Sequence, residues 1–326
     1  MPIRRSLAAA TAAAGLGLAS AAYQTWGSAR DRRRYQPPGR LVDIGGRRIH
    51  LWTEGEGGPA VVLVPALGET TYDLAPLLPE LAQETTAVIF DRAGLGYSDP
   101  VWNPMALMDA ADDLHQALHR AGIDPPFILV GHSIGGFIVR LFATSYPNEV
   151  SGIVLIDSSH PDQVRIPGYH WRTVKYGARR RLQWFGVRRL AVELGFKDLR
   201  SAWWPSEYAD AAVAQLLADR RRRTSWWEWA LRAQLGAAVR RRTGALGDIP
   251  LTVLTCSEVG PDATTPEEVA HQRGHFRDWY PLQQDLAALS TDSKHVVAEN
   301  ASHYIHHDQP ELVVDAILDL ARRARG

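Results

Sequence analysis

One serine of the chain stands in the pattern Gly-x-Ser-x-Gly, as Gly131-His132-Ser133-Ile134-Gly135. An apolar run precedes this pattern and a helix-like stretch follows it, so we expect the serine on a tight turn between a strand and a helix. Glycines two residues before and after the serine relieve the crowding of such a turn. The turn places the hydroxyl above a helix N-terminus, whose free N–H groups favour a developing oxyanion. Ser133 is therefore a candidate nucleophile.

A catalytic serine needs a base, and His303 is the best placed of the 12 histidines. It lies between the last apolar run and the last helix-like stretch, at the carboxyl edge of the expected sheet, where ligands gather. His306, His307 and Asp308 follow closely and raise a metal site as an alternative. Because no further ligand falls at a matching spacing, we do not expect a metal site there.

Short apolar runs recur along the chain, as is typical of strands buried on both faces of a parallel sheet. They lie at residues 61–64, 87–90, 127–130, 153–156, 251–254 and 296–298, after a hairpin-like pair at 42–46 and 48–52. Helix-like stretches lie at 106–121, 135–146 and 311–323. This alternation predicts an α/β fold with a doubly wound, mainly parallel sheet of eight strands.

The alternation stops between residues 161 and 247, a segment rich in tryptophan and arginine with helical spacing. We predict a helical cap there, inserted between the two parts of the core at 37–160 and 248–326. The tryptophans suit an apolar lid over the site, or they only bury the cap against the core. The arginines suit an anionic membrane surface, or they form a solvated face.

Residues 1–36 are predicted to lie outside the folded domain. A basic pair, Arg4-Arg5, precedes an apolar stretch over 7–23, which is typical of a secretory signal or a membrane anchor. As a helix this stretch would reach about 25 Å, slightly short of a hydrocarbon core of about 30 Å. Ala19-Ser20-Ala21 resembles a cleavage site, and anchor and cleaved signal both stay open. We expect a membrane-associated or exported protein rather than a cytoplasmic one.

The composition is that of an ordinary globular protein, with 326 residues, 45% hydrophobic and 22% charged. A formal net charge of zero gives no indication of nucleic-acid binding. The single cysteine, Cys256, excludes an intrachain disulfide and a cysteine-based zinc site, and its apolar surroundings predict a buried thiol at a strand end. Nothing in the sequence sets the oligomeric state.

Three segments together resemble the α/β-hydrolase superfamily. They are the elbow Gly-His-Ser-Ile-Gly-Gly, the loop Asp91-Arg92-Ala93-Gly94-Leu95-Gly96-Tyr97-Ser98 and the terminal Ser302-His303-Tyr304. The resemblance spans roughly residues 39–323 and is greatest to prokaryotic esterase-like members with a helical cap. It implies a Ser–acid–His triad in that chain order, no cofactor and a widely variable substrate. Haloalkane dehalogenases and epoxide hydrolases share the fold but use an aspartate nucleophile, which Ser133 argues against.

The resemblance also implies an oxyanion hole, whose first donor in the family follows the third strand, often within a His-Gly pair. Pro65 and Ala66 stand at that place here, so the match is partial. A backbone N–H is all that the chemistry requires, and Leu67 can supply it beside the N–H of Ile134. Asp91 and Arg92 are interpreted as bracing the loop after the fourth strand.

The acid of the triad has three candidates. Family members usually carry it beyond the seventh strand, where Glu258 and Asp262 lie, whereas other lipase-like members place it after the sixth strand. Asp157 stands directly at the end of that sixth strand, and we favour it. A simple loop cap is the alternative role for Asp157.

Taken together, these residues predict a serine hydrolase that cleaves a carboxylic ester or a related acyl bond of a small molecule through an acyl-enzyme. A peptidase or amidase would use the same residues. A catalytically silent, membrane-associated binding protein of the same fold is the alternative from another class, and it would require a broken triad.

Overall fold

The computed structural model describes residues 2–166, 186–200, 203–261 and 263–326. In this part of the chain eight strands form one sheet in the order β1-β2-β4-β3-β5-β6-β7-β8. The strands are β1 (Arg40–Asp43), β2 (Arg48–Glu54), β3 (Ala60–Val64), β4 (Ala87–Asp91), β5 (Phe127–His132), β6 (Val150–Ile156), β7 (Leu251–Thr255) and β8 (Ser293–Val297). The pairs β1–β2 and β2–β4 are antiparallel and the other pairs are parallel. The predicted eight-stranded, mainly parallel sheet is confirmed.

The central strands leave clear apolar runs in the sequence because helices cover both faces of the sheet. β3, β4, β5 and β7 are buried along their whole length. β8 differs, since it lies at the edge and is partly exposed, and it begins three residues before the predicted run at 296–298. Only the end of β8 therefore carries an apolar signal.

Eleven α-helices are seen in the described residues, with short 3-10 turns between some of them. The helices are α1 (Pro2–Arg34), α2 (Thr71–Leu74), α3 (Leu78–Leu81), α4 (Ala110–Arg120), α5 (Gly135–Ser145), α6 (Val187–Glu193), α7 (Ser206–Leu217), α8 (Asp219–Arg242), α9 (Pro266–Ala287), α10 (Ile305–Asp308) and α11 (Pro310–Arg323). The stretch predicted as a helix from residue 106 starts with a 3-10 turn, Pro104–Asp109, and is α-helical only in α4.

Apolar side chains pack on both faces of the sheet, as the alternation of side chains along a strand requires. Along β3, Val62 faces one cluster with residues of α4, α5 and α8, and Leu63 faces a second cluster with residues of α2, α3 and α11. Both residues are fully buried. The sheet thus holds its carboxyl edge rigidly between two layers of helices.

The described residues between β6 and β7 are mainly helical, in agreement with the predicted insertion. It contains α6, α7 and α8, and we call these three helices the cap. Leu235 and Val239 of α8 are fully buried in the core cluster that also contains residues of α5. Helix α8 therefore fixes the cap to the helix that follows Ser133.

The C-terminal half of α1 packs against the cap, although the sequence places this stretch outside the folded domain. Gln24, Ser28 and Asp31 are buried there. Asp31 Oδ2 lies 2.6 Å from Nη1 of the buried Arg189 on α6, and Gln24 donates to the Leu217 carbonyl at 2.7 Å. These contacts join side chains far apart in the sequence, so no local pattern marks them. Among the helices of the described residues, none combines the length and apolar character needed to cross a membrane.

Candidate active site

Ser133 lies on the turn between β5 and α5, in the left-handed region of backbone space with φ 51°. A Cβ atom at Gly131 would lie 2.7 Å from the Gly136 nitrogen, and one at Gly135 would lie 2.3 Å from the Val64 carbonyl oxygen. Both positions therefore require glycine. The flanking glycines let α5 start against β5 and β3 while the serine takes a strained conformation.

The ring of His303 meets a carboxylate at the same edge of the sheet. His303 Nδ1 lies 2.5 Å from Oδ2 of Asp157, the residue that directly follows β6. Asp157 is also left-handed, with φ 38°, and its side chain is only 3% exposed, whereas that of His303 is 42% exposed. A buried carboxylate thus holds one ring nitrogen of a histidine that stays accessible from the cavity.

The second oxygen of Asp157 has partners of its own. Oδ1 accepts a hydrogen bond from Trp279 Nε1 at 2.8 Å and from the Cys256 amide at 3.1 Å. Burial raises the pKa of Asp157, but the hydrogen bond and charge of His303, with the donors from Trp279 and Cys256, outweigh it and hold the pKa below its ordinary value. The carboxylate is therefore ionised and fixed from both sides.

The other two acid candidates do not share this position. Glu258 is exposed, and its nearest charged partner is Arg273, at 3.8 Å. In the part of the chain that the structure describes, Glu258 makes no hydrogen bond or ion pair with His303, and Asp262 lies outside the described residues. Of the two candidates that the structure describes, Asp157 is the one that contacts the histidine.

The backbone amides of Leu67 and Ile134 have no acceptor among the described residues. Leu67 follows β3 and Ile134 follows the serine, and both line one cavity with Ser133 and His303. Free N–H groups beside a nucleophile are what an oxyanion hole requires. The geometry of these residues is therefore compatible with the donors that the sequence suggests.

The cavity has a volume of about 520 Å³ and lies between the carboxyl edge of the sheet, α8 and α9. Besides the polar residues at its base, its walls carry apolar side chains, including Ile166, Trp229, Phe276 and Trp279. This volume is in the range of sites that bind small molecules, and such sites are lined mainly by apolar groups. The cap supplies Trp229, so at least one cap tryptophan faces the site.

With the fold and this geometry in view, comparison with known proteins gives a consistent result. Residues 59–226, just over half of the chain, match the model of the alpha/beta hydrolase fold family. The chain belongs to the α/β-hydrolase fold family. It is a hydrolase.

Curated relatives of this hydrolase include uncharacterised proteins and a lipase. YqjL of Bacillus subtilis is 24% identical over 267 residues, which cover 82% of this chain and 85% of YqjL. YbdG of the same organism is 28% identical over 148 residues, 41% of this chain, and the match spans about half of that relative, 46%. The human (lyso)-N-acylphosphatidylethanolamine lipase is 23% identical over 269 residues, 74% of each chain.

Solved structures share the fold at low sequence identity. The epoxide hydrolase CorEH has a TM-score of 0.60 at 19% identity, with 86% of this chain and 97% of CorEH covered. A putative lipase from Acinetobacter baumannii has a TM-score of 0.62 at 16% identity, with 91% and 95% covered. Such likeness supports the architecture of this hydrolase and leaves its substrate open.

Helix α9 contributes site residues that sequence reasoning missed. Its Trp279 donates to Asp157, and Gln272, His275 and Phe276 line the cavity. The start of the helix is readable, because Thr265 and Glu268 form a capping box with Pro266 at the first helical position. The contact of Trp279 with Asp157 depends on how the helix packs, and no sequence pattern shows it.

Cys256 also lines the cavity, and its thiol is not suited to be a nucleophile. The side chain is buried, as expected from its apolar neighbours. Burial, together with the nearby Asp157 carboxylate, raises the pKa of the thiol, so it stays protonated at neutral pH. The hydroxyls of the cavity come from four serines, Ser133, Ser159, Ser257 and Ser302, and of these only Ser133 lies on the left-handed turn at the end of β5.

A buried group behind the site, Glu69, His132 and His306, has ligand atoms within 4.8 Å of one another and so deserves a test as a metal site. His132 Nδ1 lies 3.1 Å from Glu69 Oε2, and Nε2 lies 3.1 Å from the His303 carbonyl oxygen. Burial lowers the pKa of His132, but the charge of Glu69 and its hydrogen bond raise it above the ordinary value. With both ring nitrogens donating to oxygens, His132 has no lone pair left for a metal ion.

Proposed function

We propose that this hydrolase cleaves carboxylic esters, with Ser133 as nucleophile, His303 as general base and Asp157 as the acid that orients it. The hydrogen bond between His303 Nδ1 and Asp157 Oδ2, in a cavity that Ser133 also lines, carries this proposal. With Nδ1 donating to the carboxylate, the lone pair of Nε2 is available to accept the serine proton. Asp157 thus selects the tautomer of His303 that general-base catalysis needs.

The reaction follows from these roles in two steps. Ser133 Oγ attacks the ester carbonyl carbon while its proton passes to His303, and the N–H groups of Leu67 and Ile134 stabilise the oxyanion. Collapse of the tetrahedral intermediate breaks the bond to the leaving alcohol, which takes the proton from His303. Water, deprotonated by His303, then attacks the acyl-enzyme and releases the carboxylic acid, which regenerates the serine hydroxyl.

The apolar walls of the cavity favour an acyl substrate with a hydrophobic part. Trp229 from α8 and Phe276 from α9 face the same space as Ser133. The name of the human relative, a lipase, supports the same substrate class. A peptidase or amidase would use the same residues, and a silent binding protein would leave them without activity.

The experiment compares the wild-type protein with Ser133→Ala on two substrates that share one acyl chain, p-nitrophenyl butyrate and butyryl p-nitroanilide. We expect hydrolysis of the ester by the wild type, its loss in Ser133→Ala, and much slower hydrolysis of the anilide. Faster hydrolysis of the anilide would make the protein an amidase. No hydrolysis of either substrate by folded wild-type protein, in a panel that also includes longer acyl chains, would contradict the proposal.

We also propose that the N-terminal segment brings the protein to a membrane. The support is the apolar stretch over residues 7–23 and its leucines Leu16 and Leu18, which are 73% and 74% exposed. The arginines on either side of the stretch suit anionic lipid headgroups. Sedimentation with vesicles containing anionic lipid tests this. Leu16→Ser/Leu18→Ser should reduce the bound fraction, and an unchanged fraction, or no binding by the wild type, would contradict it.

A further inference from the structure

A buried ion pair joins the core of the hydrolase to its cap directly behind the loop that follows β3. Arg92, just after β4, contacts Glu228 of α8, with 2.7 Å between Nε and Oε1 and 3.2 Å between Nη2 and Oε2. Arg92 is 3% exposed and Glu228 is 2% exposed. A charged pair that is removed from water to this degree needs further hydrogen bonds to be tolerated, so its remaining partners are informative.

Those remaining partners are backbone groups on either side of Leu67. Arg92 Nη2 donates to the Ala66 carbonyl oxygen at 2.6 Å, and its Nη1 donates to the Pro65 carbonyl. On the other side, the Gly68 amide donates to Glu228 Oε2 at 2.8 Å. The ion pair therefore forms hydrogen bonds with the loop backbone immediately before and immediately after Leu67, the residue that we assign to the oxyanion hole.

Because peptides are planar, these hydrogen bonds also set the direction of the Leu67 N–H bond. The Ala66 carbonyl and the Leu67 amide belong to one planar trans peptide, so their C=O and N–H bonds point in opposite directions. When Arg92 fixes the direction of the carbonyl, it fixes the direction of the Leu67 N–H as well. Glu228 fixes the next peptide in the same way through the Gly68 amide, which limits rotation about the bonds of Leu67.

The amides of this loop are used selectively. The Ala66 amide donates to Glu69 Oε2 at 2.6 Å and the Gly68 amide donates to Glu228, whereas the Leu67 amide between them has no acceptor among the described residues. The amides on both sides of Leu67 are thus already hydrogen-bonded, and the Leu67 amide between them is available as a donor. This pattern is what a preorganised oxyanion hole requires, because its donor must not reorient during the reaction.

We propose that Arg92 and Glu228 are positioning residues that hold the Leu67 N–H in the oxyanion hole, and that Glu228 makes this hole dependent on the docking of cap helix α8. The inference rests on the proposed function, in which Leu67 stabilises the oxyanion. Because α8 also carries Trp229 of the cavity wall, one helix both shapes the substrate pocket and completes the catalytic geometry.

Two variants test the proposal through the split between kcat and KM on p-nitrophenyl butyrate. Arg92→Lys keeps the positive charge but cannot serve Glu228 and both carbonyl groups at once, because an ammonium lacks the planar fork. The double variant Arg92→Met/Glu228→Met removes both charges and leaves no unpaired ion, so it separates lost stability from lost positioning. We expect kcat to fall by about 10- to 100-fold in both, with KM changed less than about threefold, since the oxyanion forms only in the transition state.

Arg189→Met is the matched control, since Arg189 is also a buried, ion-paired arginine of the cap region, but its hydrogen bonds go to Gln24, Asp31 and the Leu217 carbonyl and not to the loop residues 65–68. Its kcat should equal that of the wild type, whatever happens to its melting temperature. The proposal is overturned if Arg92→Lys and the double variant keep wild-type kcat, or if kcat simply follows the melting temperature in all three variants. Hydrolysis by the wild type that Ser133→Ala abolishes would then leave the proposed function standing, whereas its absence would contradict both.

Discussion

Polar side chains are buried both at the carboxyl edge of the sheet and at the interface between α1 and the cap, but the backbone geometry of the two regions differs. At the sheet edge, Ser133 and Asp157 have left-handed backbones, with φ 51° and 38°. Such conformations cost about 1–3 kcal/mol each. At the α1 interface, Asp31 and Arg189 pair from regular helices with ordinary geometry. The first region holds strain beside reactive atoms, and the second joins two helices without it.

This difference separates activity from stability. Polar contacts at the sheet edge meet at Asp157, which holds one ring nitrogen of His303, so these contacts serve to orient the imidazole. Those at the α1 interface end on other side chains and on the Leu217 carbonyl, and none of these interface residues lines the cavity. Substitutions in the first region should therefore reduce catalysis more than stability, and substitutions in the second should do the reverse.

The largest effect is expected for Asp157→Asn. The amide keeps the shape of the side chain but no longer accepts the His303 Nδ1 proton as a charged partner, which allows the wrong tautomer of the imidazole. We predict a loss of kcat by about three to four orders of magnitude, measured with a p-nitrophenyl ester. Glu258→Gln is the control at the neighbouring strand end and should retain wild-type kcat. Equal losses in both variants would remove Asp157 from its assigned role.

Arg189→Met is expected to act on stability instead. Removing the guanidinium leaves Asp31 buried without its main partner, and breaking such a pair costs about 3–5 kcal/mol. Asp31 retains some exposure at 8%, so we expect about 3 kcal/mol or less in the free energy of unfolding, measured by urea denaturation. A matching fall in kcat under conditions where the variant is folded would break the contrast between the two regions.

A smaller effect is expected for Trp279→Phe, which keeps an aromatic ring but removes the donor to Asp157 Oδ1. The carboxylate keeps its contacts with His303 and the Cys256 amide. One lost hydrogen bond of about 1 kcal/mol corresponds to a decrease in kcat of roughly fivefold. Trp229→Phe makes the same change of ring size in the cavity wall; because Trp229 faces the substrate space and does not donate to Asp157, its effect is expected in KM rather than in kcat. A loss in Trp229→Phe as large as that in Trp279→Phe would show that packing alone explains it.

The smallest effect concerns pH and stability. The pKa of Asp157 is lower in the folded protein than its ordinary value of about 3.9. Its interactions therefore stabilise the fold above that value, and their contribution is lost as the pH falls through the lower, folded-state pKa. As the pH falls from 5 to 3, the unfolding free energy of the wild type should decrease relative to that of Asp157→Asn. A difference that is independent of pH would contradict an ionised, paired Asp157.

The features that the sequence predicts well are those that depend only on residues close together along the chain. Buried parallel strands produce apolar runs, and the elbow around Ser133 needs Gly131 and Gly135 at fixed offsets, so both are visible in one dimension. The acid is different, because Asp157 and Glu258 follow adjacent strands and only the packed structure decides which one reaches His303. The same holds for Trp279, which reaches Asp157 from a helix 122 positions further along the chain.

No local sequence pattern predicts the contacts between α1 and the cap. Arg189 and Asp31 are 158 positions apart, and each stands in a run of arginines or beside one, where a solvated charge is the natural expectation. From the sequence, Arg92 is interpreted only as a brace of its own loop. Its bonds to the Pro65 and Ala66 carbonyl groups, and to Glu228 in the cap, depend on three segments that meet only in the folded chain.

The central claim is that Ser133 is a nucleophile activated by His303 and Asp157, and covalent labelling tests it most directly. A fluorophosphonate should form a single adduct with the folded protein, located on Ser133 by peptide mass spectrometry. Labelling should be much slower in His303→Ala and Asp157→Asn and unchanged in Glu258→Gln. Labelling at another residue, or equal rates in the wild type and His303→Ala, would contradict the account.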